Sequence, residues 1–128
     1  MKALLYTCTL LRIASDAKEL SDQAKALFQN TDNAVYLRSV SVWEIIVKNK
    51  LGKLPLPDKP AKFVTELCEK HFIENISLDH KAIFHLTTLP DYHRDPFDRM
   101  LVCQVIEHDF TILTSDNLIT QYPIKTAW

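Results

Sequence analysis

Short apolar runs alternate along the chain with longer amphipathic stretches. Residues 3–6, 34–37, 72–76 and 110–113 have the length and composition of strands, and the first of these is an apolar run of the kind a buried parallel strand uses. Residues 124–126 form a candidate short last strand. Between these runs the spacing predicts helices. Thr7 or Thr9 caps a first helical stretch through Ala14, and Ser21 caps a second through Ala24, Leu27 and Phe28, which ends at the polar turn 30–33. Ser39 or Ser41 caps a third that stops at Gly52, with Val40, Glu44, Val47 and Leu51 on one side and Trp43 adjoining. After the rigid connector 53–57, a helix over about 58–70 turns Phe63, Val64 and Leu67 inward. Asp79 caps a short helix carrying Ala82, Ile83 and Leu86, closed off before Pro90. Asp95-Pro96 reads as N-cap and first helical position of a helix reaching His108, and Asp116 caps a short helix through Ile119.

Strands alternating with helices predict an α/β domain: a mainly parallel sheet of four to five strands with helices on both faces. With 128 residues, the chain suits one domain spanning 1–128. Ligand sites in such folds gather beyond the carboxyl ends of the strands. Asp116 stands just past one such end, while Glu44 and Asp98 lie in the early turns of helices that begin there. Asp98 shares a face with Leu101, Val102 and Val105, and Glu44 lies on an apolar stripe of its own. An unpaired buried carboxylate costs several kcal/mol, so partners or a metal are expected. Three acids distant in sequence are thus predicted to meet in one crevice, with Asp95 close by.

Composition narrows the chemistry. Hydrophobic residues make up 47% and charged residues 24%, an ordinary globular mixture. Fifteen basic and sixteen acidic residues give a net charge of −1, which disfavours nonspecific nucleic-acid binding by bulk charge. A single glycine, Gly52, excludes glycine-rich phosphate cradles. Cys8, Cys68 and Cys103 fit neither a disulfide framework nor a zinc pattern, so a reducing cytoplasm is expected. The five histidines show no metal-binding spacing. No apolar run is long enough to span a membrane and no signal-peptide pattern opens the sequence.

Clustered Asp and Glu are hard oxygen donors that suit Mg²⁺ or Mn²⁺. Such ions activate water and stabilise in-line displacement at phosphorus. Arg94 and Arg99 flank the acids and are candidates to clamp phosphates, and Lys48, Lys50 and Lys53 to track a backbone. Taken singly, each lysine reads first as part of a solvated helix face.

At Tyr36-Leu37, Ser41-Val42-Trp43-Glu44-Ile45, Leu51 through Pro57, Leu89-Pro90, His93 through Leu101 and Leu113 through Asp116, the sequence resembles PIN domains. Within them it is most similar to the VapC-like toxins of bacterial toxin–antitoxin systems. The resemblance covers nearly the whole chain in order. It implies a Mg²⁺- or Mn²⁺-dependent ribonuclease that cleaves RNA, forms a homodimer and is held inactive by a cognate antitoxin. Carried over by position, the metal-site acids correspond to Glu44, Asp98 and Asp116, with Asp95 nearby and Thr114 or Ser115 in support.

The opening motif departs from the family. Where the family has an aspartate at the end of the first strand, this sequence reads Leu4-Leu5-Tyr6-Thr7-Cys8-Thr9. Tyr6 takes the aspartate position, Cys8 a usual histidine, Arg12 a frequent tryptophan and Arg38 a small hydroxyl residue. Three acids supply −3 where the family's four supply −4, and an inward Arg38 brings the total to −2. A neutral tyrosine (pKa about 10) is a poor ligand for a divalent ion. The expectation is a nuclease site weakened or lost through Tyr6, with Arg38 replacing the metal by a salt-bridge network. Two alternatives remain open: an active metal-dependent ribonuclease in which Asp95 substitutes for the missing ligand, and a non-catalytic protein that binds antitoxin or RNA. A phosphatase reading ranks last, because no early Asp-x-Asp motif is present.

Overall fold

The computed structural model describes residues 1–128. Five strands, β1 (Lys2–Leu5), β2 (Ala34–Arg38), β3 (Ile73–Ile76), β4 (Thr111–Leu113) and β5 (Lys125–Ala127), form one sheet in the order β3-β2-β1-β4-β5. Every pairing is parallel, in agreement with the expected class. The chain winds from β1 outward to β3 on one side and from β4 to β5 on the other. β1 and β4 therefore flank the switch point where crevices form in open parallel sheets.

The helices are α1 (Thr7–Ala14), α2 (Asp22–Gln29), α3 (Ser39–Lys50), α4 (Pro60–His71), α5 (His80–Phe84), α6 (Pro96–His108) and α7 (Asn117–Thr120), with a 3₁₀ turn at His85–Thr87. Alternation along β1 divides the core into two layers. Ala3 and Leu5 point to one layer, with Leu10, Val35, Leu37, Ile45, Val64 and Leu67. Leu4 points to the other, with Leu101, Val102, Val105, Ile112 and Ile119. Both faces of the sheet are thus covered, which is why β1 reads as an unbroken apolar run.

The caps hold in part. Ser21 Oγ accepts the Ala24 N–H at 3.0 Å as predicted. Asp95 Oδ1 accepts the N–H groups of Phe97 and Asp98 at 2.8 and 3.2 Å, with Pro96 at the first helical position. At the other end of α6, Asp109 stops the helix in a left-handed conformation at φ 55°. Four expectations change. Neither Ser39 nor Ser41 caps α3; Arg38 is its flanking residue, Ser39 reaches Asn75 at 2.9 Å, and Ser41 is buried. Helix α1 starts after Tyr6, so Thr7 and Thr9 lie inside it and bond elsewhere. Asp79 does not cap α5, because its carboxylate takes His108 at 3.0 Å instead. Phe72 leaves the third strand: it closes α4 with φ 55° and is 87% exposed.

The apolar stripe of α3 also lies elsewhere. Ser41 and Ile45 form its buried face, while Val47 and Leu51 are exposed and Glu44 is half-buried beside them. Neighbouring faces of one helix are only about 100° apart, so a spacing match alone did not separate them.

Candidate functional site

Residues from distant parts of the chain meet at the carboxyl end of the sheet. β1 delivers Tyr6 and Thr7, β2 ends on Arg38, and β4 runs directly into Thr114, Ser115 and Asp116. The first turn of α6 brings Asp98, preceded by His93 and Asp95, and α3 brings Glu44.

At the centre stands a residue that sequence reasoning did not select. His93 is buried, and its Nε2 lies 2.9 Å from Asp98 Oδ2 and 3.6 Å from Asp116 Oδ2. One ligand atom from each of His93, Asp98 and Asp116 falls within 4.8 Å of the others. Glu44 and Asp95 stand outside that set. Glu44 is held by the Thr7 hydroxyl at 2.6 Å and by Lys48 Nζ at 2.7 Å, and the bond to Glu44 raises the Lys48 pKa. Asp95 is occupied by its capping bonds.

The second nitrogen of His93 determines what the first can do. Nδ1 accepts the backbone N–H of Asp95 at 3.1 Å. An imidazole nitrogen that accepts an N–H carries no proton, so in the neutral ring Nε2 bears it, beside Asp98. The ring is anchored from behind, since the His93 N–H donates to the Tyr122 hydroxyl at 3.1 Å and that hydroxyl donates to Pro90 O at 2.7 Å.

Burial pushes the Asp98 carboxyl up to about 6, with the charges of Asp95, Glu44 and Asp116 acting the same way and His93 opposing them. Burial also drives the Tyr6 phenol well above the tyrosine range, reinforced by the Cys8 thiol, Asp98 and Asp116, so Tyr6 is neutral in the crevice. Tyr6 also packs against the Leu4 layer of the core.

Arg38 is 2% exposed. Its Nη1 donates to Phe97 O at 2.9 Å, while Nε and Nη2 are buried without a partner. Burial lowers its pKa to about 10, against the opposing pull of Asp98, Glu44 and Asp95. The expected salt-bridge network does not form: the structure contains no ion pair from Arg38 to a carboxylate within 4.0 Å.

The other predicted residues divide. Thr114 is buried and its Oγ1 accepts the Asp116 N–H at 3.0 Å, which orients the acid. Ser115 and Arg94 are exposed. Arg99 turns to the preceding loop rather than the crevice, donating to the carbonyls of Pro90 and His93 and pairing with Asp91 at 2.9 Å.

A parallel five-stranded sheet with helices on both faces and acids at its switch point is an architecture that PIN domains share, and the PIN domain model matches residues 3–125. The chain belongs to the PIN domain family. It is 32% identical over 74 residues to Ribonuclease VapC16 of Mycobacterium tuberculosis (strain ATCC 25618 / H37Rv), a match covering 58% of this chain and 50% of that protein. The chain therefore spans about half the length of the curated relative it matches. By structure it resembles VapBC2 from Rickettsia felis, solved bound to a DNA fragment from its promoter, with a TM-score of 0.73 at 15% identity over 100% of this chain and 99% of that one. It also resembles DNA-bound VapBC from Salmonella typhimurium, with a TM-score of 0.68 at 17% identity over 99% and 97% of the two chains. These structural likenesses support the fold.

PIN-domain VapC ribonucleases are generally divalent-metal dependent. The residues of this crevice do not fit such an ion. Tyr6 offers a neutral phenol, His93 presents a proton rather than a lone pair, Glu44 is tied to Lys48, and Arg38 brings a buried cation with two unpaired N–H groups.

Proposed function

We propose that the chain is a VapC-like toxin-family protein of a bacterial toxin–antitoxin system, a single PIN domain over 1–128 whose ribonuclease activity is weakened or lost. The observation that carries this reading is the pairing of a PIN fold with Tyr6 in the position of the first acid. In this reading Glu44, Asp98 and Asp116 are the remnant of the family's acid set, the one that would select Mg²⁺ or Mn²⁺, and Thr114 orients Asp116. Arg94 and Ser115, exposed at the rim, are the residues available to an RNA backbone. Arg99 serves the loop instead.

The protein then acts chiefly through association, as a homodimer and with an antitoxin, in the cytoplasm. The similarity to chains solved as VapBC complexes supports an antitoxin partner. No helix is long and apolar enough to cross a membrane.

Two measurements test this reading. Co-expressed with the antitoxin encoded beside it, the chain should elute as a hetero-oligomer; separate elution would contradict the partner assignment. RNA incubated with the purified chain and Mg²⁺ or Mn²⁺ should be cleaved no faster than with Asp98→Asn. Cleavage that Asp98→Asn abolishes would contradict the loss of activity.

A further inference from the structure

The mismatch between this crevice and a divalent ion has a definite form: Tyr6 puts a neutral phenol where the family has an acid, and Arg38 and His93 bring a positive charge and an N–H to the remaining carboxylates. We propose that the crevice carries its counter-charge internally, with the Arg38 guanidinium and the His93 Nε2–H in place of a divalent ion. The proposal deepens the PIN-family reading, because the expectation of an ion comes from the family.

Three independent observations support it. First, the Asp95 N–H on Nδ1 fixes the proton of the neutral His93 ring on Nε2. Turning Nε2 into a ligand would move that proton to Nδ1, where it would face the Asp95 N–H at 3.1 Å. The cluster of His93, Asp98 and Asp116 therefore has a protonated nitrogen facing its two acids, although its spacing alone would suit a cation.

Second, Arg38 is buried at the end of β2 with one N–H bonded to the carbonyl of Phe97, the residue before Asp98. That bond holds the guanidinium against the first turn of α6. Two more donors remain unpaired, and the charge acts on Asp98, Glu44 and Asp95. A divalent ion entering here would meet a fixed positive charge in a poorly screened setting. The buried unpaired donors also cost about 1–3 kcal/mol each, so the position is not one that packing alone would favour.

Third, Tyr6 stays neutral and supplies no charge to an incoming ion, and Glu44 is already neutralised by Lys48 at 2.7 Å. Two carboxylates remain, Asp98 and Asp116, and both already face His93.

The experiment is a Mn²⁺ titration of the full chain followed by electron paramagnetic resonance, which reads the ion that stays free. The native chain should leave Mn²⁺ free up to millimolar concentrations. Tyr6→Asp should bind weakly, and Tyr6→Asp with Arg38→Met at least ~tenfold more tightly, since the resident charge is then gone. Arg38→Gln, whose amide can still donate to Phe97 O, replaces Arg38→Met if the latter does not fold. Sub-millimolar binding by the native chain would overturn the proposal whatever the variants do. A folded double variant that binds no more tightly than Tyr6→Asp would overturn the part played by Arg38. Neither outcome touches the toxin–antitoxin reading, which depends on co-elution with the antitoxin.

Discussion

The Nδ1 of His93 accepts the backbone N–H of Asp95 at 3.1 Å, and this bond leaves the proton of the neutral ring on Nε2, 2.9 Å from Asp98 Oδ2. Two carboxylates that would repel each other thus both face one N–H, the Asp116 carboxylate from 3.6 Å. His93→Ala should therefore destabilise the fold by about 2 kcal/mol, because Asp98 loses its nearest polar partner in a half-buried site. Urea denaturation measures this. A loss below ~0.5 kcal/mol would show that the bridge contributes little.

The raised Asp98 pKa gives a pH dependence of defined sign. The ordinary value is 3.8 and the folded value about 6, so the fold prefers the protonated carboxyl. The stability it contributes is present below the ordinary value and is lost as pH rises through about 6. Allowing for solvent screening, the loss is about 1–2 kcal/mol. Asp98→Asn keeps an acceptor for His93 but no charge. It should be more stable than the native chain by that amount near neutral and mildly alkaline pH, with the difference vanishing in acid. A difference independent of pH would contradict the assignment.

Tyr122 is buried and its hydroxyl serves two backbone groups at once, accepting from His93 N–H and donating to Pro90 O. Tyr122→Phe leaves both without a partner and should cost about 1–3 kcal/mol, seen as a lower Tm. The accompanying change should be faster amide exchange at His93. Unchanged exchange there would mean that other contacts hold the loop.

The two partners of Glu44 should differ in weight. The Thr7 bond is short, 2.6 Å, and its donor is buried, so Thr7→Val should cost about 1–2 kcal/mol. Lys48 is half-exposed, and Lys48→Met should cost less than ~1 kcal/mol and only at low salt. Equal losses in thermal denaturation would contradict this ordering.

The centre of the sheet was readable in the sequence because β1 and β4 are buried on both sides and so appear as largely apolar runs set between helical periods, whereas the edge strands β3 and β5 are half exposed. The Asp95-Pro96 cap was equally plain, since its chemistry is local. His93 was not, because it was one of five unspaced histidines and its role depends on a bond to a backbone N–H two residues on. A histidine two places before a capping aspartate was the signal present. The position of Arg38 pointed to a charge near the acids, but its bond to a carbonyl instead of a carboxylate depends on where α6 packs. Glu44 was expected among the acids; it binds Thr7 and Lys48 outside the His93 cluster, and the stripe proposed for it belonged to a neighbouring helix face.

The central claim is that an imidazole N–H, and not a metal ion, lies between Asp98 and Asp116. Long-range ¹H–¹⁵N correlation of the His93 ring tests it most directly. The account predicts a protonated Nε2 and an unprotonated Nδ1 near neutral pH, unchanged when Mn²⁺ is replaced by diamagnetic Mg²⁺ or Zn²⁺ at millimolar concentration. A proton on Nδ1, or an Nε2 resonance that shifts to the unprotonated range when either ion is added, would contradict it.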